Sequence, residues 1–356
     1  MKKWTVIGLA LLVVFFGFFA CKKAGIPVAG SARAEDMLTL IPKDARGIVV
    51  IDVHRAMTTE FIDKTIKESP NYQKYQEFIK ETGIDPQKDI FFASVGIMGE
   101  LSENVSSGVG VINMKFNKDS LLAKIKEKQP NLTEQAYEGL TMISMVPGEN
   151  EKPVFAAFLD ESNIALGTEN GVKAVIDILK KKADSVLKNT EMAGIIKSSN
   201  KKAMVWCAFA FPPDMMKKLV ASNPMLASLE GLKSLAVYFD YKNKALQAEI
   251  KGIGGDADKN KQIADFLTGL KALGGMASAE KPEIGQLMNK IEVSSAPEYV
   301  KIYVDLPEDL LNKLSAAAKQ QVEGIIKPEA KEEGKEEIKK EETKKEEIKK
   351  DEVKIK

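Results

Sequence analysis

One phrase returns three times along this chain and restricts what it can build. An apolar run ends, a short turn follows, and an Asp then precedes paired large apolar residues and a Lys. It reads Asn117-Lys-Asp-Ser-Leu-Leu-Ala-Lys-Ile125, Phe211-Pro-Pro-Asp-Met-Met-Lys-Lys-Leu219 and Leu306-Pro-Glu-Asp-Leu-Leu-Asn-Lys-Leu314. The carboxylates of Asp119, Asp214 and Asp309 can accept the free amide hydrogens of a helix start, and their charge suits the positive end of the helix dipole. Pro212, Pro213 and Pro307 fit there because a missing amide hydrogen costs little at a helix start. The phrase therefore predicts three strand-to-helix corners of one building plan.

Between the corners the apolar residues fall into short runs. Gly47-Ile-Val-Val-Ile-Asp-Val53 has the β-branched character of a strand, and further strands are expected over 90–98, 108–116, 139–146, 154–159 and 163–166. Thr58 and Thr59 can cap a helical region in which Phe61, Ile62 and Ile66, then Tyr72, Tyr75, Phe78 and Ile79, recur at helical spacing up to Gly83. A helix striped by Val172, Val175, Ile176 and Leu179 ends in Lys180-Lys-Lys182, which complements its negative terminus.

The later half repeats the logic. Its first strand, 204–211, is apolar at every position, so cover on both faces is expected. A hairpin over 235–253 turns at Lys242-Asn-Lys244, and two helices are striped by Ile263, Phe266, Leu267, Leu270 and Leu273 and by Ile284, Leu287 and Ile291. The last strand has Val300, Ile302, Val304 and Leu306 on one side, with Tyr299, Lys301, Tyr303 and Asp305 on the wetter one. Strands outnumber crossovers and pair with near neighbours. That predicts an α+β chain of two related domains, 36–190 and 191–326, each a mainly antiparallel sheet with helices packed on one face.

The leader supplies an address. Lys2 and Lys3 precede an apolar run from Trp4 to Phe19, the pattern of an export signal. Phe18-Phe19-Ala20-Cys21 resembles the bacterial lipobox, with Ala20 and Cys21 in place and Phe18 and Phe19 where Leu and a small residue are usual. The resemblance implies lipidation of Cys21 and, from Lys22 rather than Asp at the next position, an outer-membrane more than an inner-membrane destination. Two other readings stay open: the run Trp4 to Ala20 is retained as an anchor, being near the lower limit of about 17 apolar residues for a span, or the chain is cut after Ala34 in Ala32-Arg33-Ala34. Residues 1–21 are read as signal peptide and lipobox and 22–35 as a flexible linker. Each reading leaves the body outside the cytoplasm, facing the periplasm.

Leu40-Ile-Pro-Lys-Asp44 ahead of the first strand, the alternating body and the closing strand-Pro-helix corner resemble a family of two-domain bacterial envelope proteins, often lipoproteins, over roughly residues 36–325. The family has no assigned catalytic residues, so the resemblance implies none here. Beyond it, residues 327–356 carry four copies of a pentad, from Lys335-Glu-Glu-Ile-Lys339 to Lys350-Asp-Glu-Val-Lys354. Five residues overshoot one helical turn, so Ile338, Ile348 and Val353 spiral instead of forming a seam, and a solvated tail is expected.

Composition excludes more than it assigns. Lys and Arg number 52 against 51 Asp and Glu, a net charge of +1, which leaves no field for nucleic acid. Cys207 is the sole cysteine besides Cys21, so no intramolecular disulfide is expected, and its apolar surroundings predict an inert buried thiol. His54 is the one histidine, which removes zinc sites built on several imidazoles. Asp52 lies two positions before it, on the same face if both belong to the strand, so a hydrolase using Asp52 and His54 is one alternative. A polar rim at a strand end explains the pair more simply. Gly252-Ile-Gly-Gly-Asp256 lacks the Lys-Ser/Thr ending of a phosphate loop and is read as a turn with a helix cap.

No catalytic residue, cofactor or metal is assigned. The expected function is a non-catalytic, membrane-anchored periplasmic lipoprotein that binds or scaffolds another envelope component, protein or lipid. The other alternative is a carrier of an apolar ligand or lipid, with Met215, Met216 and Met225 lining an adaptable mouth.

Overall fold

The structure, a computed structural model, describes residues 34–99, 107–146, 151–276 and 282–317. Cys21 with its leader, most of the linker, the turn Pro147-Gly-Glu-Asn150 and the pentad tail lie outside the described residues. The strands are β1 (Ala45–Asp52), β2 (Ile90–Met98), β3 (Ser107–Met114), β4 (Thr133–Tyr137), β5 (Leu140–Met145), β6 (Val154–Phe158), β7 (Asn163–Gly167), β8 (Val205–Ala210), β9 (Ser234–Lys242), β10 (Ala245–Ile253), β11 (Ile291–Ala296) and β12 (Tyr299–Pro307). They form one antiparallel sheet in the order β11-β12-β10-β9-β8-β1-β2-β3-β7-β6-β5-β4.

The chain is α+β, as its alternating runs imply. Its local hairpins follow from turn chemistry: Asn243 and Lys244 take φ of 53° and 56° between β9 and β10, the left-handed pair that matches the twist of a two-residue hairpin. The two stretches expected to build separate sheets are joined edge to edge instead. β1 pairs with β2 on one side and with β8 on the other, Val49 facing both Val95 and Cys207. A strand as apolar as Gly47-Ile-Val-Val-Ile51 needs cover on both faces and belongs mid-sheet, but its second partner lies far along the chain and leaves no local signal.

Helices occupy both faces rather than one. On the core face Ile48 and Val50 meet Trp206, Ala208, Val109 and Val111 under helices α1 (Ala34–Met37), α7 (Glu169–Leu179) and α8 (Thr190–Ser198). On the opposite face Ile51 and Ala93 meet α2 (Val53–Met57), with Ile62 of α3 (Glu60–Lys67) packed alongside. Further helices are α4 (Tyr72–Thr82), α5 (Pro86–Asp89), α6 (Lys118–Lys128), α9 (Met215–Ser222), α10 (Ala257–Met276), α11 (Pro282–Lys290) and α12 over 308–317. α10 packs its Ile263 and Ala264 on Val300 of β12. α7 approaches β3 so closely that a Cβ on Gly171 would stand 2.6 Å from the Gly108 carbonyl oxygen.

Several local expectations shift. The described residues open with α1, and Glu35, assigned to the linker, pairs with Lys201 at 2.5 Å. The three corner aspartates sit at helix starts, but α6 is capped by Asn117, whose side chain accepts from Ser120 N, and Asp214 makes no side-chain cap bond. Asp309 instead pairs with Lys313 at 3.8 Å. Charge near the positive helix end accounts for the recurring Asp better than the cap bond does. Thr59 stands at the start of α3 without capping it, because its hydroxyl is engaged with the Arg55 carbonyl at 3.1 Å.

Candidate functional site

The Asp52–His54 pair does not survive as a catalytic arrangement. Asp52 closes β1, but His54 lies within α2, not in the strand, so the shared strand face is lost. The Asp52 carboxylate is committed to capping that helix and accepts the Arg55 backbone N–H at 2.9 Å. Burial pushes the Asp52 carboxyl above its ordinary range, against that hydrogen bond and the nearby charges of Arg55 and His54. The His54 ring packs 5.9 Å from Phe91, and its Nδ1 is buried with no hydrogen-bond partner among the described residues. A general base is oriented by a hydrogen bond to its far ring nitrogen, and His54 Nδ1 receives none among the described residues.

A polar junction missed in the sequence lies one residue away. Arg55 Nη2 reaches Asp240 Oδ1 on β9 at 2.5 Å and its Nη1 reaches the Lys202 carbonyl at 2.5 Å. Asp240 is 0% exposed and its Oδ2 lies 2.6 Å from Lys242 Nζ. The cluster ties α2 of the first half to β9 of the second. Nothing in the sequence marks it, because its members are 185 positions apart.

The largest departure concerns strand 204–211, expected to be covered on both faces. Trp206, Ala208 and Ala210 are fully buried on the core face, whereas Val205, Cys207 and Phe209 on the other are only half-buried. Register extends that half-open surface across six strands as Val95, Val49, Cys207, Val237, Ile250 and Ile302. At about 4.8 Å per strand the row runs about 24 Å, and it carries no charge. Phe239 and Ile250 are each 39% exposed there, high for large apolar side chains on a sheet. α2 packs against the row at Val49 and Val205, and the row is most open towards Phe239 and Ile250. Burial pushes the Cys207 thiol up to about 11, which fits the expected inert cysteine, although the residue is half-buried rather than enclosed.

The other sequence candidates do not converge. Met216 is 6% exposed and belongs to packing, while Met225 is 67% exposed in the 3-10 segment Pro224–Leu229, so no methionine-lined mouth forms. Gly252–Asp256 is a turn with a cap, Asp256 Oδ1 accepting from Lys259 N at 2.9 Å. Among the described residues no His, Cys, Asp or Glu group is arranged to hold a metal ion, and no helix is long and apolar enough to cross a membrane.

Fold and surface together define an α+β protein organised on one antiparallel sheet with an open apolar strip. No family model matches the chain, and no curated protein matches it. Among solved structures it is similar to TP0453. Crystal forms III, I and IV of that protein align with TM-scores of 0.47, 0.43 and 0.43 at 8%, 9% and 9% identity. Each alignment covers 79% of this chain and 98%, 97% and 96% of TP0453 respectively. A likeness of that degree transfers no residue role and no ligand.

Proposed function

We propose that this chain is a non-catalytic, lipid-anchored protein of the bacterial envelope, facing the periplasm and held more at the outer than the inner membrane, that binds or scaffolds another envelope component. The address rests on the leader and on Cys21. The binding role rests on one observation, the uncharged, half-open row through Val49, Cys207, Val237 and Ile250. Apolar surface of that kind gains roughly 25 cal/mol for each Å² removed from water, so a partner that covers it is favoured. The Asp52 and His54 geometry favours no hydrolase.

A second reading, a carrier of an apolar ligand, draws on the same row. A strip of about 24 Å exceeds half the roughly 30 Å hydrocarbon core of a bilayer, so it accommodates an extended acyl chain. One experiment separates the two. A benzophenone amino acid placed at Phe239 or Ile250 is photolysed in intact envelopes, with Lys197 on α8 as the control position. A protein adduct of discrete mass supports scaffolding and a lipid adduct supports the carrier. Adducts no stronger than at position 197 overturn both.

A further inference from the structure

A depression of about 290 Å³ lies between the end of α4 and the start of α6, away from the apolar row and from Arg55 and Asp240. Its polar groups include Lys115, Lys124 and Ser120, and its apolar surface comes from Ile84, Phe116 and Leu121. We propose that this depression binds a small organic carboxylate, with Lys115 and Lys124 holding its oxygens and Ile84, Phe116 and Leu121 covering its apolar body.

The lysines carry the argument. Along α6, Lys126 pairs with Glu134 at 2.7 Å, Lys128 pairs with Glu81 at 2.9 Å, and Lys118 stands over the Phe158 ring at 5.6 Å. Lys124 has no such partner among the described residues, and Lys115 has the charge of Asp89 nearby without a direct pair; all three line the depression. Lys124 is half-buried, its stem lying along the apolar side of the depression. Its Nζ lies against Gly83, the left-handed residue that ends α4 at φ 71°: a Cβ there would stand 2.8 Å from Lys124 Nζ. The absent side chain thus leaves the room the ammonium occupies.

The other polar groups define the sign and size of the ligand. Asn117 Oδ1 accepts from Ser120 N, and the Ser120 hydroxyl has no hydrogen-bond partner among the described residues. Asp89 is the one carboxylate in the lining, and its Oδ2 accepts from Asp85 N at 2.7 Å. Two lysines against one aspartate leave a single positive charge, which a monoanion neutralises by charge-assisted hydrogen bonds. The volume sits at the lower end for small-molecule sites, so the body is no larger than a few carbons. This site is independent of the apolar row and of its occupant.

The probe is N-acetyl-leucine, followed by saturation-transfer NMR on the purified full chain. Saturable binding is expected with a dissociation constant on the order of 1 mM. Lys124→Gln and Lys115→Gln each weaken it about tenfold, the value of one lost charged contact. The neutral N-acetyl-leucinamide binds about tenfold more weakly, and Lys197→Gln changes nothing. Absence of saturable binding, equal binding of acid and amide, full binding by both lysine variants, or an equal loss in Lys197→Gln overturns the proposal.

Discussion

Arg55→Ala tests whether the two halves of the sheet are coupled through their polar junction. The substitution removes a charge-assisted contact to Asp240 at 2.5 Å and a hydrogen bond to the Lys202 carbonyl at 2.5 Å. It leaves behind a carboxylate that is 0% exposed. Removing one partner of a buried ion pair costs roughly 3–5 kcal/mol. Two features reduce that here: Lys242 remains 2.6 Å from Oδ2, and Arg55 itself is 34% exposed, so water reaches the vacated place. The expected loss is about 2–3 kcal/mol. At about 2 °C per kcal/mol for a body of this size, the melting temperature falls by about 4–6 °C.

Urea unfolding followed by circular dichroism measures the loss, with Lys43→Ala as the reference. The Lys43–Asp184 pair is 52% and 53% exposed, so solvent screens it and its removal should change stability little. Asp240→Asn and the double variant complete a cycle, for which a coupling above about 1.5 kcal/mol is expected. An Arg55→Ala loss no greater than that of Lys43→Ala, or a coupling near zero, refutes the reasoning.

Asp52→Asn should raise stability at pH 7. Asn keeps an oxygen to accept the Arg55 amide hydrogen, while the desolvated charge disappears. A carboxyl whose folded pKa lies above its unfolded value disfavours the fold at neutral pH, and that penalty fades as pH falls through the folded pKa towards the ordinary value of about 3.9. The advantage of Asp52→Asn over the parent should therefore shrink in acid, and a variant less stable than the parent at pH 7 contradicts this. Cys21→Ser should abolish incorporation of labelled palmitate and release the protein from envelope membranes. Equal labelling of parent and variant removes the lipid anchor from the proposed function.

Much of the fold was legible because local patterns decide it. Strand 90–98 and the hairpin at Lys242-Asn-Lys244 follow from alternation and turn chemistry alone, and Gly83 ends its helix as a left-handed glycine should. The helix Thr190–Ser198 and the edge strand β11 were not legible. The first has Met192, Ile195 and Ile196 on one face within only 9 residues, and β11 continues directly from α11 without a turn. His54 was misplaced by a single structural change, the strand giving way to a helix after Asp52.

The sequence by itself determined the class and most of the strands and helices, and it supplied the expectation of an export leader. These depend on residue type and on spacings within a turn or a strand. Tertiary structure alone decided that β1 joins β8, that Arg55 meets Asp240, and that one side of an all-apolar strand stays half-open. Each depends on which distant segments cover a surface, and hydrophobic attraction has no direction, so an apolar residue records that it favours cover without recording what supplies it.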